Sequence, residues 1–126
     1  MDTREQHERG LALRTEMFGK AAVDQRSRAF GAFGEPLQHI INAYAYGDVW
    51  QRGALPLATK SLAMVAMMAA AGHPNELRVH LKGALKNGCT PEQIQEVLLL
   101  LTLYCGIPAA NEAHTIATEV LREAGR

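Results

Sequence analysis

Two stretches of this chain, Leu57–Ala71 and Ile94–Leu103, are apolar almost all the way round a helix, and they leave few folds open. In the first, Leu62, Ala63, Met64, Val65, Ala66, Met67 and Met68 run into three alanines; in the second, Ile94 and Val97 lead into Leu98, Leu99, Leu100, Leu101 and Leu103. A helix without a polar face is buried, either in a core or between subunits. The most apolar runs, Leu62–Ala71 and Val97–Leu103, fall far short of the roughly 20 residues of a membrane span, so no membrane partner is expected. No stretch alternates apolar and polar residues at the period of a strand. The pattern predicts an all-α fold, a compact helical bundle, in a soluble chain. With 126 residues it reads as a single domain, residues 1–126, with a modest core. Burying both apolar helices inside one small monomer is difficult, and the surplus predicts a homo-oligomer.

Charge removes further classes. Lys and Arg number 13, as do Asp and Glu, whereas nucleic-acid and membrane-surface binders need a basic excess. Cys89 and Cys105 form neither a close pair nor a metal-ligand cluster, so no metal site is expected. With no disulfide framework and no signal peptide, the expected location is the cytoplasm.

The remaining elements follow from local signals. Thr3 to Phe18 reads as a charged amphipathic helix stopped by Gly19, with a further turn or two over Ala21–Arg28 and a loop at Gly31–Gly34. Glu35-Pro36 starts a helix whose stripe is Leu37, Ile40, Ile41, Tyr44 and Ala45, ended or bent at Gly47. Asp48–Gly53 has too few apolar repeats for a helix but holds the only tryptophan, Trp50. Gly72 stops the first apolar helix. Pro74 then suits the first position of the next, with His73 as N-cap and Gly88 as its end. Thr90-Pro-Glu-Gln93 is a capping-box start, Cys105–Pro108 breaks the chain, and a final amphipathic helix covers Ala109–Arg122.

The strongest chemical signal lies on the His73–Gly88 helix. Glu76 and His80 stand one turn apart and share a face. Arg78 and Lys82, two residues from His80, lie roughly 200° round the helix and do not; Gly83 and Ala84 do. A carboxylate beside an imidazole can hold and move a proton. The same two residues also fit a glutamate that stabilises a helix N-terminus and a satisfied core histidine.

Several segments in order, Tyr44–Arg52, Glu76–His80, Asn87–Gly88, Thr90–Ile94, Glu96–Leu98 and Tyr104–Asn111, resemble the carboxymuconolactone decarboxylase family. Within it the chain is most similar to the branch that acts in protocatechuate catabolism. The resemblance implies an all-helical subunit, assembled as a hexamer, and decarboxylation of 4-carboxymuconolactone to the 3-oxoadipate enol-lactone with no cofactor and no metal. The partner implied is a small anionic lactone. A sister branch, the alkylhydroperoxidase-like disulfide reductases, carries Cys-x-x-Cys-x-x-x-His where this chain has His73-Pro-Asn-Glu76-Leu-Arg-Val-His80. Without that dithiol there is no peroxide-reducing cycle.

On this resemblance His80 is the expected proton donor, with Glu76 setting its tautomer and pKa. Arg52, in a matched segment on irregular backbone, is the expected clamp for a substrate carboxylate. Trp50, Tyr104 and His39 are the further substrate-binding candidates, while His73 and His114 have no assigned role. The chain departs from the family pattern at Lys60, Leu100 and His114, where an Arg, a Gln and an aromatic are usual. The alternatives are therefore a paralogue acting on another unsaturated lactone or keto acid, or a non-catalytic helical oligomeric binding module.

Overall fold

A computed structural model describes residues 2–126, which cluster into two compact units, one up to Leu55 and one from Pro56. The described residues form seven α-helices and no strand, as the absence of alternation predicts. Among them, no helix is long and apolar enough to cross a membrane.

The first unit contains α1 (Thr3–Phe18), α2 (Lys20–Arg28) and α3 (Glu35–Ile40), with short 3-10 turns at Gly31–Gly34 and Val49–Gln51. Asp2 caps α1 by accepting the Arg4 N–H at 2.9 Å. α3 does not continue as one regular helix to Gly47; residues Ile41–Tyr46 widen into a π-helix. The reason lies on α1, which crosses this stretch at backbone contact. A Cβ on Gly10 would stand 1.6 Å from the Asn42 carbonyl oxygen, and one on Gly47 would stand 2.2 Å from that of Gln6. Gln6 also donates through Nε2 to the Ala43 carbonyl at 3.2 Å. Carbonyls engaged by a neighbouring helix are where an α-helix can relax into a wider turn.

The interior of this unit is partly polar. Arg14 is buried and donates through Nη1 to Gln38 Oε1 at 2.8 Å and Asn42 Oδ1 at 3.1 Å. Its guanidinium lies 5.8 Å from the centroid of the Tyr46 ring, and Tyr46 in turn stacks on Trp50 with centroids 5.6 Å apart. Phe18 meets Tyr46 edge-on.

The second unit is made of α4 (Leu57–Ala71), α5 (Pro74–Lys86), α6 (Pro91–Cys105) and α7 (Ile107–Glu123). Its core is Val65 and Ala69 of α4, Leu77, Leu81 and Ala84 of α5, Ile94, Leu98 and Leu101 of α6, and Ala113, Ile116, Ala117 and Val120 of α7, with Cys89 beside them. Local signals set the boundaries. Gly72 takes a left-handed conformation at the end of α4, and both halves of the Thr90–Gln93 capping box form. α7 starts two residues before the expected Ala109, because Gly106 turns the chain and Pro108 has no N–H to lose in a first turn. α4 and α6 each bury one stripe: Ser61, Val65 and Ala69, and Ile94, Leu98 and Leu101. Much of their remaining apolar surface, including Met67, Leu99, Leu100 and Leu103, stays exposed.

Candidate active site

α5 carries the Glu76–His80 pair as the spacing predicts. Pro74 and the His73 N-cap start the helix, so Glu76 falls in its first turn and His80 one turn later. His80 is 5% exposed, on the stretch of α5 that buries Leu77, Leu81, Gly83 and Ala84; Glu76 is half-buried. Arg78 and Lys82 point elsewhere. Arg78 pairs with Glu119 and, at 3.9 Å, with Glu123, and Lys82 reaches Glu123 at 3.6 Å. These ion pairs latch α5 to α7 and take both cations away from the His80 face.

Four further candidates separate in character. Trp50 is buried against Tyr46. His39 stacks on His7, with ring centroids 5.2 Å apart and planes inclined by 11°. Tyr104, at the end of α6, is 83% exposed. Arg52 follows the 3-10 turn on extended backbone and pairs side-on with Asp48, Nε to Oδ1 at 3.1 Å and Nη2 to Oδ2 at 3.3 Å. That hydrogen bond holds the Asp48 carboxyl below the usual carboxylate range and raises the Arg52 guanidinium.

Arg52 also lines a cleft of about 370 Å³ with Gln6, Arg9, Gly47, Asp48 and Gln51. Arg9, which lines this cleft, and His7, which stacks on His39, both lie on α1, whose sequence signals only a charged amphipathic helix. Sequence reasoning missed Asp48 as the partner of Arg52, although the four-residue spacing was there to see. In the second unit His114, whose Nδ1 sits 2.7 Å from the Ala110 carbonyl, lines a smaller groove between α6 and α7. Among the described residues no three His, Cys, Asp or Glu side chains gather as a metal ion would need.

Residues 35–119 match the model of the carboxymuconolactone decarboxylase family. The chain is 36% identical over 125 residues to the 4-carboxymuconolactone decarboxylase of Acinetobacter baylyi, covering 99% of this chain and 93% of the relative. It is 31% identical over 114 residues to a nitrosuccinic acid decarboxylase of Metarhizium robertsii, covering 90% of this chain and 80% of that protein.

Proposed function

The chain belongs to the carboxymuconolactone decarboxylase family, and from that premise we propose that it is a cofactor-free carboxy-lyase of aromatic catabolism. Its substrate is 4-carboxymuconolactone and its product the 3-oxoadipate enol-lactone, formed in the cytoplasm. The observation that carries this reading is the near-full-length identity to a 4-carboxymuconolactone decarboxylase.

The substrate is an unsaturated lactone with two carboxylates. When one leaves as CO2, the electron pair of the broken C–C bond flows through the ring double bond to the lactone carbonyl oxygen. A hydrogen-bond donor stabilises that oxygen, and a general acid returns a proton to ring carbon. The substrate supplies its own electron sink, so the protein needs only to bind, stabilise and protonate. His80 is the proposed donor and Glu76 the residue that orients it, supported by their shared face on α5 and by the burial of His80. Arg52 is the proposed carboxylate ligand, with Trp50, Tyr104 and His39 as further substrate contacts.

Tyr104 can wall a pocket only if something covers it, because it is 83% exposed. A homo-oligomer, a hexamer on the family pattern, would supply the cover.

The test is an ultraviolet assay with enzymatically generated lactone. His80→Gln should lower turnover by at least about 100-fold while leaving the helical signal unchanged. Wild-type turnover in that variant rejects the assignment of His80, and no turnover by folded wild-type protein rejects the substrate. A second substrate, another carboxylated lactone or acid, is favoured by the resemblance to a nitrosuccinic acid decarboxylase and by Lys60, Leu100 and His114. The same assay with such acids decides between them.

A further inference from the structure

We propose that the cleft between α1 and the 47–52 turn of the first unit is a site for a single carboxylate, recognised by Arg9 together with Arg52 and gated by Asp48. Its walls are set before any ligand arrives. Gly10 and Gly47 bring α1 and the end of the π-helix to backbone contact, and Gln51 Nε2 donates to the Arg9 carbonyl at 3.4 Å. Arg9 and Arg52 thus stand on elements fixed to each other, a preorganisation that reduces the ordering cost of binding.

Charge defines the ligand. Arg9 and Arg52 line the cleft together with one carboxylate, Asp48, whose pKa is lowered by its hydrogen bond with Arg52, so that it stays charged at neutral pH. The formal charges of the lining side chains sum to one positive charge, which matches one carboxylate group and not two. The Asp48–Arg52 pair is 42% and 69% exposed at its two side chains, and exposed pairs contribute little stability. An incoming carboxylate can therefore share or replace Asp48 at small cost, while the side-on geometry keeps the guanidinium oriented.

Resting on the proposed decarboxylase reading, the site takes the carboxylate that the substrate keeps. The carboxylate that is lost gives up its electron pair and departs as neutral CO2. A cation clamped to that group would be bound more strongly in the ground state than in the transition state, and would slow the reaction. Arginines suit the retained group.

Muconolactone, an unsaturated lactone with one carboxylate, is the probe, and its uncharged methyl ester is the control. In the full-length protein, the arginine Nε–H resonances of Arg9 and Arg52 should shift on titration with the acid and not with the ester. Arg9→Gln and Arg52→Gln should each weaken binding about tenfold or more. Asp48→Asn, which removes the competing charge, should tighten it several-fold. Equal response to acid and ester, or unchanged affinity in Arg9→Gln with its helical signal intact, overturns the proposal. Charge-dependent binding without decarboxylase turnover would reject the substrate reading and leave the site standing.

Discussion

Cys89 lies in the short connection between α5 and α6, buried, with its thiol donating to the Ala58 carbonyl at 3.3 Å, and burial pushes that thiol's pKa up. Because the thiolate is the reactive form, the folded protein should protect this residue. In a Cys105→Ser background, Cys89 should resist maleimide while folded and react promptly in denaturant; rapid labelling of the native protein would show that the burial is wrong. The sign of the linked stability follows. A folded pKa above the unfolded one gives a contribution fully present below the ordinary thiol range and lost as pH rises through the folded value. At this scale the sequence was legible where chemistry depends on spacing alone. Glu76 and His80 share a face because any helix places residues four apart together. The Asp48–Arg52 pair has the same spacing, but too few apolar repeats around it signalled a helical turn.

Crossing of α1 over the Ile41–Tyr46 π-helix is the contact on which the first unit depends. The contact is backbone on backbone, and a side chain at Gly10 has no flexible neighbour to push aside. Gly10→Ala should therefore cost about 3 kcal/mol or more, beyond the gain in helix propensity that alanine brings to a helix interior. Denaturant unfolding measures it; a change within about 0.5 kcal/mol, the ordinary range for a surface substitution, would mean the helices do not meet there. The sequence concealed this feature because its cause is non-local. Gly10 meets Asn42 and Gly47, and nothing near residue 10 signals that meeting. The helices of the second unit were readable because their ends are encoded within a few residues, by Pro74 at the start of α5 and by Thr90, Pro91 and Gln93 at the start of α6.

For the molecule as a whole, the unsolved quantity is apolar surface. Leu99, Leu100, Leu103 and Tyr104 occupy one side of α6, with Leu103 79% and Tyr104 83% exposed, and Ile107 extends the exposed apolar set at the start of α7. Single exposed leucines are common, but a contiguous stripe on one helix marks a surface that another surface covers. The sequence showed the surplus, since no helix can bury an apolar surface that runs right round it within one small bundle. It could not show which side would be left over, because that depends on which side α4 and α7 occupy. The proposed homo-oligomer uses this stripe. Leu103→Glu places a charge in its middle while leaving Ile94, Leu98 and Leu101, the residues α6 buries in its own bundle, untouched. Light scattering at micromolar concentration should show the wild type as an oligomer and Leu103→Glu as a smaller species with unchanged helical signal. A monomeric wild type would remove the oligomer, and with it the cover that Tyr104 needs to serve as a pocket wall. An oligomer unaffected by the charge would place the subunit contact on a different surface.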